Sequence, residues 1–495
     1  MSFAHLNLPI LAQVQAALPA GMPAYLVGGA VRDLLLGRVS HDLDFVVPKD
    51  AIAASRRVAN ALGGGFFTLD PERKTGRVVL TTEANDRYFL DFATFRGPDL
   101  ESDLRNRDFT INAIAVDIHQ LQALIDPLGG ARDLHARQLR PCSATSFEDD
   151  PLRILRCVRQ AVEFELRLLP ETRHLLRAAL TGLSRISPER VRDELFRILE
   201  TRKPAVALRA LDMLGALVYV LPELDTLKGV AQSPPHTDDV WTHTLNTAQK
   251  LADLMDVLQP EHDAKAAANW AMGLVSLRIG RYRQQFNTHL SAAPSPGRSL
   301  RALLLLAALY HDVGKPATQK VEEDGRIRFI EHDRLSAQIA HQRGVRLHLS
   351  NLEIERLTTI VRQHMRPLLL AQSGETPSRR SIYRFFHHTG SAGVDICLLA
   401  LADSLATYGA GLPQDVWVHQ LEVTRTLLEA WWEQADEKIA PPALLNGHDL
   451  MEVFSLPPGP EIGRLLEKIR EAQASGEIKE RSEALEYARA CLGKR

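Results

Sequence analysis

This sequence has little net charge, no long apolar run and no leader-like start. The formal net charge of its 495 residues is −2, so no overall positive field attracts nucleic acid and RNA binding would depend on a local basic patch. The longest strongly apolar run, Ala302 to Tyr310, is far too short to cross a bilayer. The N-terminus lacks the basic segment and apolar core of a signal peptide. We therefore expect a cytoplasmic protein with no membrane partner.

Cysteine is also scarce, and the four cysteines form no Cys-x-x-Cys pair. This scattered spacing argues against a zinc ribbon or a disulfide framework and fits a reducing cytosol. No internal repeat and no low-complexity segment interrupts the chain. A chain of this length is expected to form about two to four domains. The cysteines are Cys142, Cys157, Cys397 and Cys491.

Changes in residue pattern divide the chain into four predicted domains. Short apolar strands alternate with helical segments at first, and the apolar spacing becomes helical from Asp150 onward. Proline- and glycine-rich loops interrupt the later helical blocks, and Asp324-Gly325 predicts the turn of a hairpin over residues 319–329. The predicted fold class is α+β. The predicted domains are a head (1–140), a helical neck (141–235), a second helical block (236–410) and a helical tail (411–495).

The most informative segment begins at residue 24. Residues 24–27 predict a short buried strand, Gly28 and Gly29 follow it, and residues 31–36 predict a helix. The two glycines let the backbone approach a bulky anionic ligand closely. The free N–H groups at the start of a helix can hold phosphate. This segment is therefore a candidate for binding a phosphorylated ligand.

Two aspartates follow on the next predicted strand. Asp42 and Asp44 alternate there, so both carboxylates point to the same face. Two neighbouring carboxylates repel each other unless a cation lies between them. Mg²⁺ is the natural candidate, because it takes hard oxygen ligands and is commonly shared with substrate phosphates. A strand, a Gly-Gly turn, a helix and Asp-x-Asp, in this order, are what metal-assisted nucleotidyl transfer needs.

This segment resembles the signature of the tRNA nucleotidyltransferase/poly(A) polymerase family, the class II branch of the polymerase-β-like nucleotidyltransferases. The resemblance implies a polymerase-β-like head in which Asp42 and Asp44 hold Mg²⁺. Asp91, on a predicted strand over residues 88–94, fits the third acidic residue of such a site. A carboxylate among apolar neighbours is costly unless it is paired or near a metal, and the alternative is an edge-strand aspartate facing water. The nucleotide-binding residues implied here are Gly28, Gly29, Arg32 and Asp33.

A second stretch, residues 103–113, is similar to the family motif that ends Arg-Arg-Asp-Phe-Thr-Ile-Asn-Ala. Asn106 stands where the motif has its first arginine, whereas Arg107 and Asp108 match. Arg107 can neutralise a triphosphate, and Asp108 can orient it or receive a sugar hydroxyl. The resemblance therefore adds both residues to the nucleotide-binding set.

The predicted neck helix begins at a further motif, with Asp149 or Asp150 at its N-cap and Pro151 in its first turn. The family has Glu-Asp-x-x-Arg where this chain has Asp149, Asp150 and Arg153, and its Asp and Arg read the base edge of the incoming nucleotide. The resemblance thus implies that Asp150 and Arg153 select the base, and that Arg156 and Arg159, three and six residues further on, reach phosphates or ribose. The alternative is a capped helix with an arginine stripe facing water. Residues 153–209 hold many arginines and few lysines, which favours an RNA-facing patch.

Histidines and aspartates recur in order along the second helical block. His311-Asp312 directly follows an apolar helix. Imidazole and carboxylate ligands with open positions suit a divalent metal that activates water on a phosphoester. The order His…His-Asp…His…His…Asp resembles the HD phosphohydrolase domain and implies a second divalent metal. The implied ligands are His243, His311, Asp312, His332, His364 and Asp403.

Together the motifs imply a template-independent nucleotidyltransferase with an accessory HD metal-dependent phosphohydrolase site. It would add CCA, or only the terminal A, to tRNA 3′ ends from CTP and ATP. One alternative is a bacterial poly(A) polymerase, which acts on another RNA 3′ end and makes a longer tail. A second is an HD phosphohydrolase whose head only binds nucleotide, against which the intact Asp-x-Asp argues. A third is a non-catalytic RNA-binding protein, which would need no metal sites. DNA is not an expected partner.

Overall fold

The computed structural model of the chain describes residues 9–70, 74–82, 86–262 and 269–493. The chain folds into two compact units. The first comprises Met1–Ile186 and Met213–Tyr219, and the second comprises Ser187–Asp212 and Val220–Arg495. The boundary at residue 187 falls inside the predicted neck, and the four-domain division stays a prediction.

A seven-stranded sheet forms the centre of the first unit. Its strands are β1 (Tyr25–Val27), β2 (Asp42–Val47), β3 (Gly65–Asp70), β4 (Thr75–Thr81), β5 (Arg87–Thr94), β6 (Ala115–Asp117) and β7 (Leu124–Ile125). They lie in the order β3-β4-β5-β2-β1-β6-β7. Only β2 and β5 pair in parallel in this sheet, and the other neighbours are antiparallel. A separate parallel pair joins β8 (Gln138–Leu139) to β9 (Arg167–Leu168).

The helices of the first unit pack beside this sheet and continue beyond it. They are α1 (Pro9–Ala17), α2 (Gly29–Leu35), α3 (Ala51–Leu62), α4 (Leu100–Arg105), α5 (Gly130–His135), α6 (Ser146–Asp149), α7 (Arg153–Glu163) and α8 (Pro170–Ala178). Leu43, Phe45 and Val47 of β2 enter the main apolar core of this unit, and so do Val58 of α3 and Phe92 of β5. The strand period of two therefore turns Asp42 and Asp44 to the opposite, open face. The predicted strands and helix over residues 24–47 agree with the structure.

The predicted start of the neck helix was wrong. A helix capped by Asp149 or Asp150 was expected, but α7 begins at Arg153 after Leu152 as its N-cap. The physical reason is a tight turn, in which the N–H of Arg153 donates to the carbonyl of Asp150 at 3.0 Å and the N–H of Ile154 donates to the carbonyl of Pro151 at 3.0 Å. Such three-residue bonds are typical of 3₁₀ turns at helix ends. Asp150 therefore lies in the turn that joins α6 to α7.

The described part of the second unit is almost entirely helical, apart from one hairpin. Its hairpin pairs β10 (Gln319–Val321) with β11 (Ile327–Phe329), as the sequence predicted. The remaining helices of the chain are α9 (Pro188–Leu199), α10 (Pro204–Leu214), α11 (Leu217–Val220), α12 (Val240–Val257), α13 (Trp270–Ile279), α14 (Arg283–Ser291), α15 (Leu300–Tyr310), α16 (Lys315–Thr318), α17 (His332–Arg346), α18 (Asn351–Gln363), α19 (Arg366–Gln372), α20 (Arg379–Thr389), α21 (Ala392–Tyr408), α22 (Gln414–Trp432), α23 (Ala435–Lys438), α24 (Gly447–Phe454), α25 (Pro460–Ser475) and α26 (Arg481–Leu492).

One apolar helix lies at the centre of this unit. Within the described residues, Ala392–Gly411 is the one segment long and apolar enough to cross a membrane, with a mean hydropathy of 1.3. However, 83% of its most apolar stretch is buried inside the protein. Helix α21, which makes up most of it, packs against α12, α18 and α22. Its apolar surface is therefore covered by neighbouring helices.

Candidate active site and candidate metal centre

Strand register brings the three acidic residues of the head to adjacent strands. Asp44 lies directly across the parallel β2–β5 pair from Asp91, and Asp42 is two residues away on the same face as Asp44. On the other side of Asp91 lies Arg77, its partner in the antiparallel β4–β5 pair. The carboxylate of Asp91 accepts from Nε of Arg77 at 2.7 Å and from Nη2 at 2.6 Å. Three carboxylates and one guanidinium thus share one face of the sheet.

The electrostatics of this face favour a cation. The pKa of Asp44 is raised chiefly because nearby protein atoms weaken the hydration of its charged form, and Asp91 and Asp42 add negative charge, while Arg107 opposes the rise. A divalent ion would relieve this repulsion with hard oxygen ligands. The three head carboxylates do not all lie within 4.8 Å of one another. Among the described residues, three ligand atoms come that close only in the second unit.

Gly28 and Arg107 lie beside these carboxylates. Gly28 has a φ of +75°, and a Cβ atom built there would lie 3.0 Å from Nη1 of Arg107 and 3.5 Å from Oδ2 of Asp44. A side chain at this position would therefore displace the arginine or strain the backbone. Arg107 also donates to Oδ2 of Asp103 from Nε at 3.2 Å and from Nη2 at 3.0 Å, and Asp103 is fully buried. This ion pair holds the guanidinium at the edge of the acidic face.

A buried polar network supports the predicted nucleotide-binding residues. Arg32 donates from Nη1 to Oδ1 of Asn112 at 2.7 Å, and Nδ2 of Asn112 donates to Oδ1 of Asp108 at 3.0 Å. Arg156 donates to Oδ2 of Asp108 from Nε at 3.0 Å and from Nη2 at 2.6 Å. Burial opposes the charge on Asp108, but Arg156 and the hydrogen bonds from Asn112 lower its pKa to about 2. Arg32 also binds Asp33, at 2.8 Å from Nη2.

The residues expected to select the base lie around the turn before α7. Arg153 donates from Nη1 to Oγ of Ser146 at 2.8 Å and from Nη2 to the carbonyl of Asn106 at 3.0 Å. Asn106, which departs from the family motif, therefore contacts the candidate base-reading arginine through its backbone. Asp150 accepts from the N–H of Leu152 at 3.3 Å. These bonds set where the Arg153 and Asp150 side chains lie in this structure.

Arg159 pairs within its own helix, and its side chain is less exposed than that of Arg156. Its Nη1 donates to Oε2 of Glu163 at 3.0 Å, four residues further along α7. The contact of Arg159 with phosphate or ribose stays a prediction.

The second unit gathers all six implied metal ligands around Asp312. Two groups of three ligand atoms lie within 4.8 Å of one another, and both contain Asp312. Oδ2 of Asp312 lies 3.2 Å from Nε2 of His311, and Oδ1 lies 3.3 Å from Nε2 of His332. Asp403 lies 3.0 Å from Nε2 of His243. The two groups are His243, His311 and Asp312, and Asp312, His332 and His364.

Three of these histidines are held in the same way. The ring nitrogen Nδ1 of His311, His332 and His364 bonds to the backbone carbonyl three residues earlier, at 2.7, 2.8 and 2.8 Å respectively. A carbonyl can only accept, so Nδ1 carries the proton and Nε2 faces the cluster with a lone pair when the ring is neutral. Each Nε2 is buried and, among the residues that the structure describes, has no hydrogen-bond partner of good geometry. An unpartnered lone pair in such a position fits a metal ligand.

The charge state of the cluster also fits metal binding. Burial opposes the charge on Asp312, but His311 and Lys315 hold the pKa of this carboxyl well below its usual range. Burial together with the nearby His311 lowers the pKa of His364 to about 4. An ionised carboxylate and a neutral imidazole are the forms that ligate divalent metals, so Asp312 and His364 are in ligating form. Burial opposes the charge on His311, but Asp312 raises the pKa of this imidazole, so metal binding there would displace a proton.

Comparison with known proteins bears on both sites. Four family models match the chain: Poly A polymerase head domain over residues 24–140, the RNA and SrmB binding site of polymerase A over 165–228, HD domain over 240–407, and tRNA nucleotidyltransferase domain 2 over 429–488. The A-adding tRNA nucleotidyltransferase of Deinococcus radiodurans is 33% identical over 462 residues, which covers 92% of each chain. This chain belongs to the tRNA nucleotidyltransferase/poly(A) polymerase family.

Other matches extend over nearly the whole chain. The CC-adding tRNA nucleotidyltransferase of Geobacter sulfurreducens is 32% identical over 487 residues, covering 98% of this chain and 96% of its own. The solved Thermotoga maritima CCA-adding enzyme in complex with tRNA has the same fold, with a TM-score of 0.54 and 21% identity, covering 99% of this chain and 97% of its own. The predictions of a polymerase-β-like head, an HD domain and nucleotidyltransferase activity are therefore confirmed.

The structure also brings residues to the HD cluster of this nucleotidyltransferase that the sequence did not predict. Nζ of Lys315 lies 2.7 Å from Oδ2 of Asp312 and 2.7 Å from Oε1 of Gln232. The ring of His236 packs edge-on against His243, with 4.9 Å between centroids, and burial together with Lys315 lowers the pKa of His236 to about 4. Lys315 could have been suspected from its place three residues after Asp312. His236 and Gln232 lie in a loop without regular spacing and gave no such signal.

A cavity of about 540 Å³ opens over one side of this cluster. Asp312, His332 and Asp403 lie in its wall together with Lys315 and His236. Its volume is in the range of small-molecule sites. A ligand in this cavity can therefore reach the metal-ligating side chains directly.

Proposed function

We propose that this nucleotidyltransferase adds CCA, or only the terminal A, to the 3′ end of tRNA from CTP and ATP, without a nucleic-acid template. The observation that carries the proposal is the acidic face on β2 and β5, with Gly28 and Arg107 beside it. The likeness to A-adding and CC-adding tRNA enzymes over nearly the whole chain supports tRNA as the acceptor. We further propose a cytoplasmic location, where tRNA is processed in bacteria.

Asp42 and Asp44, with Asp91, would hold Mg²⁺ in this proposal. These residues would hold two such ions, one to lower the pKa of the RNA 3′-hydroxyl and the other to stabilise the leaving pyrophosphate. Arg107 would bind the triphosphate, since a guanidinium matches phosphate oxygens in two-bond geometry. Gly28 and Gly29 would let the backbone approach the phosphates at the start of α2. Arg32, Asp33 and Asp108 would complete the nucleotide pocket through the network that joins them.

Asp150 and Arg153 would take the place of a template. One carboxylate acceptor and one guanidinium donor can pair with the Watson–Crick edge of cytosine or adenine. Arg156 and Arg159 would face phosphate or ribose. In the proposed division of labour, the head (1–140) performs the transfer and the neck (141–235) binds nucleotide and RNA.

We also propose that the HD cluster is a metal-dependent phosphohydrolase site. The observation that carries this second proposal is the set of buried, unpartnered Nε2 atoms of His311, His332 and His364 around Asp312. A bound divalent metal would activate water. The water oxygen would bond to phosphorus, one P–O bond to ribose would break, and the proton of the water would go to the leaving oxygen. The substrates proposed are phosphomonoesters or 2′,3′-cyclic phosphates at damaged RNA ends, whose removal would prepare an acceptor for the head.

The transfer proposal is tested with tRNA transcripts that lack one, two or three terminal nucleotides. Each transcript is incubated with Mg²⁺ and with ATP, CTP, GTP and UTP, separately and together, and the products are sequenced. We expect growth that stops at the CCA end and uses only CTP and ATP, or only ATP on transcripts that end in CC. Long adenosine tails on unrelated RNA would favour a poly(A) polymerase instead. Absence of any addition, with RNA still bound, would support the non-catalytic alternative.

A further inference from the structure

The cavity beside the HD cluster has a strongly basic rim that the metal ligands do not explain. Arg326 and Arg328 both line it, next to the wall that holds Asp312 and Lys315. Both arginines belong to or adjoin β11, and both are exposed. They are not within the His and Asp pattern that identified the HD domain. The rim therefore carries two guanidinium groups in addition to the lysine at the cluster.

These arginines are carried by a hairpin that is fastened to the rest of the cavity wall. The N–H of Ile327, which lies between them, donates to Oγ of Ser233 at 2.7 Å. Ser233 lines the same cavity from the loop before α12. Glu322 on the facing side of the hairpin binds Nε of Arg328 at 2.9 Å. The guanidinium groups are thus presented on a tethered element and not on a free loop.

Lys315, at the metal-ligand cluster, has different surroundings from Arg326 and Arg328 at the rim of the cavity. Nζ of Lys315 is within 2.7 Å of both Asp312 and Gln232, and the residue is only 7% exposed. Lys315 therefore balances the carboxylate at the metal centre. A phosphate held at that centre would be neutralised by Lys315 and by the metal ligated there. Glu322 balances part of the charge of Arg328, but both rim guanidinium groups still present N–H donors that match a second phosphate further out.

Apolar side chains also line the cavity. Met365, Leu368 and Tyr408 contribute to its wall, and so does Phe329, over whose ring Nζ of Lys315 lies 5.3 Å from the centroid. Aromatic and apolar side chains of this kind are surfaces on which a nucleobase can rest. The cavity therefore combines a phosphoester centre, a base-sized apolar wall and an outer anion site.

We propose that Arg326 and Arg328 bind the phosphate on the 5′ side of the terminal nucleotide, so that the HD site recognises an RNA 3′ end of at least two nucleotides in preference to a mononucleotide. This inference rests on the proposed phosphohydrolase function and specifies its substrate. Two arginines match phosphate better than lysines do, because each guanidinium presents parallel donors to two oxygens. The head and the HD site would then act on the same class of molecule, an RNA end.

The test compares two substrates that differ only in the additional nucleotide. They are adenosine 2′,3′-cyclic phosphate and the dinucleotide CpA with a terminal 2′,3′-cyclic phosphate, each assayed with Mn²⁺ or Ni²⁺. We expect kcat/KM for the dinucleotide to exceed that for the mononucleotide by about tenfold, the effect of one charge-assisted contact. The double variant Arg326→Gln with Arg328→Gln is expected to abolish this preference, mainly through KM. Lys468→Gln, an exposed cation on α25 outside the cavity wall, is the control that keeps it.

A binding measurement separates recognition from catalysis. Fluorescently labelled CpA bearing a hydrolysis-resistant 3′-phosphorothioate is titrated into the Mn²⁺-loaded protein, with 3′-AMP as competitor. We expect the double variant to weaken dinucleotide binding about tenfold. Equal affinities of wild type and double variant, or equal kcat/KM for both substrates in the wild type, would overturn the inference while leaving the phosphohydrolase proposal intact. Failure of the wild type to hydrolyse either substrate, with any metal, would instead contradict the phosphohydrolase proposal itself.

Discussion

Arg77 holds Asp91 by both carboxylate oxygens, from a neighbouring strand and directly opposite in register. Asp91 in turn faces Asp44 across the parallel pair. The arginine therefore orients one proposed metal ligand and adds a positive charge next to the other two. This relationship makes Arg77 a candidate positioning residue for nucleotide transfer.

Replacing this arginine is expected to change both rate and metal dependence. Arg77→Met frees Asp91 to rotate, and we expect the addition rate to fall by about 10- to 100-fold. Loss of the positive charge makes the acidic face more attractive to cations, so the half-saturating Mg²⁺ concentration is expected to fall. Arg77→Lys is expected to restore the wild-type Mg²⁺ dependence but only part of the rate. Arg87→Met, an exposed change on the same strand as Asp91, is the control. An unchanged Mg²⁺ dependence in Arg77→Met would mean that the arginine only stabilises the sheet.

Asp42→Ala is expected to abolish nucleotide addition while tRNA still binds. Asp42 is exposed on the acidic face and supports no core contact, so its loss removes a metal ligand without disturbing the fold. We expect a rate loss of at least about 10²–10³-fold, measured with labelled ATP and CTP, and unchanged tRNA affinity in a gel-shift assay. Asp86→Ala, an exposed acid elsewhere in the first unit, serves as the control. Addition near the wild-type rate would refute the assignment of Asp42.

Arg153→Ala is expected to change which nucleotide is used more than the overall rate. The guanidinium bonds to Ser146 and to the carbonyl of Asn106 in this structure. Rotation of the side chain would bring it to the edge of a nucleotide base. We expect discrimination between CTP or ATP and the other nucleotides to fall by about 10- to 100-fold, since a base-reading pair accounts for about 1–3 kcal/mol. The measurement is kcat/KM for each of the four nucleotides. An equal slowing of all four would show that Arg153 positions phosphate.

Asp108→Asn is expected to destabilise the protein in a pH-dependent way. The pKa of Asp108 is about 2 in the folded state, below its usual value of 3.8, because Arg156 and Asn112 favour the charged form. A lowered folded-state pKa stabilises the protein above pH ~4, and this stabilisation is lost as the pH falls towards 2. The difference of nearly two pKa units corresponds to about 2 kcal/mol at neutral pH. Urea unfolding of both proteins from pH 3 to 7 measures it, and a difference independent of pH would contradict the linkage.

The double variant His311→Ala with Asp312→Ala is expected to lose the HD activity and to keep nucleotide addition. Asp312 belongs to both ligand groups, so its removal takes a ligand from each. We expect no hydrolysis of 2′,3′-cyclic or monoester phosphates and less bound metal by elemental analysis. His348→Ala is a suitable control, because His348 bonds to Glu189 and belongs to neither group. If the wild type neither hydrolyses these substrates with Mg²⁺, Mn²⁺, Ni²⁺ or Co²⁺ nor retains metal, the cluster is structural.

Local patterns predicted some features of the two sites, and long-range packing decided the others. The common face of Asp42 and Asp44 follows from strand alternation, which a sequence displays directly. The bidentate bond from Arg77 to Asp91 depends on the register between two strands, which their separate patterns do not specify. The start of α7 was misplaced because acidic residues and a proline also suit a tight turn.

The HD cluster illustrates the same distinction. Its six ligands could be listed in order because each lies in a recognisable local motif. The contact between Lys315 and Asp312 could have been predicted, since the two residues are three apart in the sequence. His236 was not, because only the packing of its loop against α12 brings it to His243. Arg326 and Arg328 were predicted as part of a hairpin, but their position at the cavity depends on the bond between Ile327 and Ser233.

The carbonyl bonds of His311, His332 and His364 have a thermodynamic consequence. Each ring loses its rotational freedom when the chain folds, because its Nδ1 proton is committed to a backbone oxygen. The rings are therefore already oriented when a metal binds, and metal binding orders few additional side chains. We therefore expect metal binding to the HD cluster to raise the thermal midpoint by simple mass action, without a change in helix content. The ligand atoms would already be in place before the ion binds, so the affinity of the cluster would depend on the radius of the ion.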